Sequence, residues 1–222
     1  MKRTLTLLTL CSFETMLVIA FATGAALAQE TAPSFEIASP PACQNNKGEL
    51  VRFENQLSSK AKSAAGMARR DDKGVPVIYR FAYAKSPQSL QKFIDRHECA
   101  HHQTGDIDLP HPPRNSPDHM MNESIADCIA ILRMRDESTD SQAQIKHVTI
   151  ALRQAMDAVG FPPSTIDSRI SNIDNCAQKD TTAAEFIKTV LVYQLDDTID
   201  QCVQIQFIDF LHPLFVIGFR LF

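Results

Sequence analysis

The run with the most chemistry in it is His97-Glu98-Cys99-Ala100-His101. Imidazole binds metal ions, and a carboxylate can serve as ligand or base, so spacing decides the use to which each is put. On a helix, residues four apart lie about 40° apart in projection, so His97 and His101 share a face and can hold one ion. Glu98 lies about 100° round from His97, close enough to act on a water bound to that ion without joining the ligand set. Cys99, about 200° round from His97, cannot ligate the same ion.

A third ligand is needed, and Glu123-Ser124-Ile125-Ala126-Asp127 offers one. Glu123 and Asp127 are four apart, on the face that also carries Met120 and Ile131, a direction that otherwise buries apolar groups. Two acids pointing inward call for a cation and a donor. Glu123 could ligate the metal, and Asp127 could accept the second ring N–H of a liganding His. The plainer alternative is a surface Glu and a buried Asp with no metal.

These residues must sit on elements that bring them together. Ser86-Pro87 is a helix start, with Ser placed to accept from the first free N–H groups. The helix it opens runs to about Thr104, carries Leu90, Phe93, Ile94, His97 and His101 on one stripe, and ends at Gly105. Ser116-Pro117 starts a second helix to about Arg135, with Met120, Ile125, Cys128, Ile131 and Leu132 inward; Asp106 to Asn115 between them is a Pro-rich loop. Upstream, Leu50 to Met67 has weak helical spacing. After the turn at Asp71-Asp72-Lys73-Gly74, Pro76 to Tyr83 is rich in β-branched and aromatic residues and reads as a strand. Helices follow over 141–159, 164–176 and from Thr181 to about Val203, with Gly160-Phe161-Pro162-Pro163 as a breaker. The fold class expected is α+β, mostly helical.

HExxH followed by a helix bearing ExxAD resembles the gluzincin metallopeptidases, a group that includes membrane-embedded CAAX-prenyl proteases and small bacterial families. The resemblance covers roughly Val75 to Arg135. It implies a zincin-like core with a small edge sheet and two ligand helices, with Zn2+ held by His97, His101 and Glu123. It further implies Glu98 as general base, Asp127 as the acid that orients a His, and a peptide or protein as substrate. In zincin-like folds an edge strand beside the zinc helix pairs with extended substrate. Val77 to Tyr83 is the candidate, and an interior scaffold strand is equally compatible with its composition. An oxyanion donor outside the ligand set is also expected, and His102, His111, His119, His147 and Tyr79 are available. A fourth protein ligand such as His119 or His102 would instead make the zinc structural and the protein a non-catalytic module.

The chain has 222 residues, net charge −4 and 44% hydrophobic content, a globular composition with too little basic surface for nucleic-acid binding. Lys2 and Arg3 precede a largely apolar run ending in Ala26-Leu27-Ala28, so residues 1–28 read as a cleaved signal peptide and the protein as periplasmic or secreted. Residues 29–48 read as a linker or loosely held arm, 49–180 as the metallopeptidase domain and 181–222 as a helical and apolar extension. Within the last, 204–222 could contact a membrane surface or a partner. Removing the signal segment leaves Cys43, Cys99, Cys128, Cys176 and Cys202, an odd number. A bond from Cys99 to Cys128 would tie the two ligand helices, with Cys176 and Cys202 pairing and Cys43 left over.

Overall fold

Pro76 opens the run that forms the central strand of a three-stranded sheet. Its missing N–H is tolerated at a strand start, and Val77 and Ile78 behind it are fully buried. The computed structural model describes residues 34–56 and 60–195. Their elements are β1 (Arg52–Gln56), β2 (Ala65–Arg70), β3 (Pro76–Phe81), α1 (Gln88–Thr104), α2 (Pro117–Asp136), α3 (Ser141–Val159), α4 (Pro163–Ala177) and α5 (Ala183–Leu195). The fold is α+β and mostly helical. The sheet order is β1-β3-β2, with β1 parallel to β3 and β2 antiparallel to it.

The helical spacing over Leu50 to Met67 is overturned. β1 and β2 occupy this region, and β2 alternates exposed and half-buried residues with the two-residue period of a strand. Phe53 packs on the cluster of Val51, Ile78, Cys43 and Cys99 instead of on a helical stripe. Pairing with β3, in the register Phe53↔Ile78 and Met67↔Tyr79, outweighs a weak local preference. β3 is thereby interior, and the strand at the sheet's edge beside α1 is β2.

Residues 34–48 are not a loose arm. Phe35 N–H donates to Ala84 O (2.7 Å), Asn46 N–H to His102 O (3.1 Å), and Ala38 N–H to the buried Gln91 Oε1 (2.7 Å). The fastening runs through single backbone groups, which leave no periodic apolar signal. Beneath it the buried Arg80 guanidinium clasps Asp95 (2.8 and 3.0 Å) and donates to Ala38 O (2.7 Å), joining β3, α1 and this segment.

α1 buries Leu90, Phe93 and Ile94 against Ile131 and Met134 of α2, Val148 and Leu152 of α3, and Ile166 and Ile173 of α4. Ser86 does not cap it: the Ser86 Oγ accepts from Ala64 N–H (2.9 Å), fixing the approach to β2, and Pro87 takes the N-cap position. Gly105 ends the helix in the left-handed region at φ 78°, its N–H on His101 O. Ser116 caps α2 as its sequence suggests. The helix expected to reach about Val203 is described as far as Leu195; residues 1–33 and 196–222, and with them the signal-peptide reading, Cys202 and the apolar tail, lie outside the described residues. No helix among the described residues is long and apolar enough to cross a membrane.

The cysteines pair differently from the expectation. Cys43 bonds Cys99 and Cys128 bonds Cys176, so the Cys99–Cys128 link and the Cys176–Cys202 link are both overturned. The rotation that keeps Cys99 off the metal face turns it towards β3 and the 34–48 segment, while Cys128 faces α4. Such bonds persist in oxidising compartments. Non-reducing peptide mapping should recover 43–99 and 128–176 linked peptides and none linking 99 to 128. Replacing Cys128 and Cys176 by Ser should cost about 2–4 kcal/mol in denaturant unfolding.

Candidate metal centre

α1 and α2 cross so that the stripe of α1 ending in His97 and His101 meets Glu123 of α2. The two imidazole Nε2 atoms are 3.2 Å apart, Glu123 Oε2 is 3.3 Å from His97 Nε2, and Glu123 Oε1 is 3.7 Å from His101 Nε2. The three ligand atoms lie within 4.8 Å of one another, and His97, His101 and Glu123 could hold a metal ion.

The opposite ring nitrogens settle what faces inward. His97 Nδ1 donates to Asp127 Oδ1 and His101 Nδ1 to Asp106 Oδ2, both at 2.8 Å. A neutral imidazole that donates from Nδ1 carries a lone pair on Nε2. Two lone pairs and a carboxylate then converge in a largely buried space, an arrangement that needs a proton or a cation. A donor set of two imidazoles and one carboxylate, each His backed by an acid, suits a borderline divalent ion.

Without such an ion the site holds protons tightly. Burial pulls the His97 pKa down, but the hydrogen bond and charge of Asp127, and then of Glu123, outweigh it and lift it from 6.5 to about 10. His101 moves up as well, burial being outweighed chiefly by Asp106. Burial would raise the Glu123 carboxyl, yet His97 and His101 hold it far below the usual range. Asp127 is likewise held low against burial, by Arg169 first and then His97. Arg169 of α4 donates from Nε to Asp127 Oδ2 (2.8 Å) and from Nη2 to Oδ1 (2.7 Å), so Asp127 is buried but paired on two sides.

Glu98 stands outside the group of His97, His101 and Glu123 and rests on the edge strand. Ala68 N–H donates to its Oε2 at 2.7 Å, and a Cβ at Gly66 would stand 2.3 Å from its Cγ. Gly66 is therefore the position that lets β2 approach the side chain. The centre opens into a cleft of about 480 Å³. One wall is β2 from Ala65 to Ala68, another is Leu152, Met156 and Val159 of α3 with Phe161, and Glu98, His111, His119 and Arg169 also line it.

Each metal-site residue singled out in the sequence thus meets the others, with Asp127 behind His97. Of the five oxyanion candidates only His111 and His119 line the cleft. His102 is fully buried, with Nε2 on Val77 O at 3.1 Å; Tyr79 lies under the Arg69 guanidinium; and His147 is an exposed residue of α3. Two residues escaped the sequence reading. Asp106 opens a short 3-10 turn, Asp106–Asp108, in a stretch without apolar periodicity, although its place directly after the helix-ending Gly105 brings it back beside His101. Arg169 interrupts the inward stripe of Ile166, Ile170 and Ile173, a departure that could have marked it.

Compared with models of protein families, with curated proteins and with solved structures, the chain has no match in any of the three.

Two outcomes follow for metal binding. Below about pH 10 the metal-free His97 holds a proton that an ion must displace, so apparent affinity should rise with pH, by about tenfold per unit for each proton displaced. Chelator-competition titrations from pH 6 to 9 measure this, and a flat profile would contradict the site. Asp127→Ala should weaken metal binding by about 10–100-fold in the same assay; unchanged affinity would remove Asp127 from the centre.

Proposed function

We propose that this protein is a zinc-dependent metallopeptidase of the gluzincin type with a zincin-like core, exported to the periplasm or the cell exterior. The observation that carries the reading is the convergence of His97, His101 and Glu123 from two helices, with Glu98 beside them in an open cleft. Bound Zn2+ would supply a Lewis acid for the scissile carbonyl and lower the pKa of its water to about 7.

The chain's own residues do the rest. Asp127 and Asp106 keep both imidazoles in the tautomer that presents Nε2. Glu98 takes the proton of the attacking water as the water oxygen bonds to the carbonyl carbon, then delivers it to the amide nitrogen as the C–N bond breaks. Substrate lies extended along β2, the edge strand beside α1 among the described residues, where outward backbone groups such as Ala68 N–H can pair with it. Pairing there competes with Glu98 for the same N–H, so substrate binding releases the carboxylate for its work as a base.

The signal-like amino terminus and the two disulfides support export. A structural, closed metal site is less well supported, because His102 is turned away to Val77 O and three donor side chains leave a position for water. The test is Glu98→Gln, which removes the base and leaves the ligands. Metal should stay at one equivalent per chain while chelator-sensitive hydrolysis of casein falls by about 10²–10⁴-fold. Undiminished hydrolysis in the variant would refute Glu98 as base, and one equivalent of zinc without hydrolysis by the unaltered chain would refute the peptidase reading.

A further inference from the structure

The cleft holds a donor that the metal centre does not use. His119 stands one turn before Glu123 on α2, so the two share a face. Its root is fixed, its backbone N–H donating to the capping Ser116 Oγ at 3.3 Å. Its side chain is 32% exposed and lines the cleft. The two ring nitrogens differ: Nδ1 is buried without a partner among the described residues, whereas Nε2 faces Glu123 Oε1 at 4.0 Å. That separation is too long for a hydrogen bond, so the Nε2 position is unspent. His119 also lies outside the ligand group of His97, His101 and Glu123. It is thus beside the metal ligands without being one of them.

We propose that His119 is a catalytic residue, donating from Nε2 to the oxygen that becomes negative when a peptide carbonyl is attacked in the cleft; this rests on the peptidase reading above. Such a donor must be preorganised, near the metal position and free of other duties. Arg169 lines the same cleft but has Nε and Nη2 committed to Asp127, and acts as a positioning residue for the His97–Asp127 pair. His111 sits in the Pro-rich loop between Pro110 and Pro112 instead of on a ligand helix, and no polar contact fixes its ring among the described residues. His119 alone among the histidines of the cleft outside the ligand set is carried on the helix that also carries a ligand.

The experiment uses the full chain loaded with zinc, with His119→Ala and His119→Gln compared against it. Three quantities are measured: zinc content, kcat and KM on casein-derived peptides, and calorimetric affinity for a phosphinic peptide, whose tetrahedral anionic centre mimics the oxyanion. With His119→Ala, zinc should stay at one equivalent, kcat should fall about 10²–10³-fold with KM changed less than about threefold, and phosphinate affinity should fall by a similar factor to kcat. His119→Gln keeps an N–H donor and should restore part of both losses; it also serves if the Ala variant does not fold. Unchanged kcat and phosphinate affinity in variants that retain zinc would overturn the role. Loss of zinc would do so too, by placing His119 among the ligands. An unaltered chain that holds zinc but neither cleaves peptides nor binds phosphinate would instead overturn the peptidase reading, and the role of His119 with it.

Discussion

Two imidazole nitrogens and a carboxylate aimed at one another inside a protein repel unless positive charge lies between them, and this fold holds them in that arrangement from three directions. Asp127 behind His97 and Asp106 behind His101 fix the ring tautomers, and Arg169 holds Asp127 in turn. α1 is pinned to the sheet by the Arg80–Asp95 pair and to the 34–48 segment by the Cys43–Cys99 bond, while α2 is tied to α4 by Cys128–Cys176. The two ligand helices pack on each other through Leu90, Phe93, Ile131 and Met134 and are joined by the His97–Asp127 hydrogen bond. Each is also fastened to another part of the molecule, and a bound metal would add one more link between them. An ion bound only to the folded arrangement adds its binding free energy to stability.

The sheet contributes through its edge. β2 reaches Glu98 because residue 66 has no side chain, and the Ala68 N–H then holds the carboxylate against the strand. Under the proposed function this couples recognition to chemistry, since backbone pairing of a peptide with β2 and release of the base would be one event. Leu152, Met156, Val159 and Phe161, which line the same cleft, would under that function take substrate side chains, while main-chain contacts hold its register.

The candidate ligands and their helices could be read in the sequence because Leu90, Phe93 and Ile94 set the direction in which His97 and His101 must point, and the buried Ile131 lies on the side of Asp127. Met120, expected inward on the same face, is exposed, because α2 is apolar on several sides and its periodicity is weak. Ser116, Pro117 and Gly105 marked the ends of the helices. What escaped depends on distant partners. β1 and β2 are held by β3, and their alternation is short and polar enough to pass for a weak helix. Residues 34–48 are held by backbone hydrogen bonds and a disulfide, which carry no side-chain pattern. The cysteine partners depended on which face of each helix turns to which neighbour: the rotation of Cys99 away from the metal was readable, but not that Cys43 waits there. Asp106 and Arg169 likewise act through proximity that only the folded chain creates.

The most direct test of the two-helix site is zinc K-edge X-ray absorption on the purified, zinc-loaded chain. The site predicts a first shell of nitrogen and oxygen only at about 2.0–2.2 Å, with outer-shell scattering from two imidazoles. A sulfur ligand near about 2.3 Å, or a shell without imidazole scattering, would contradict it.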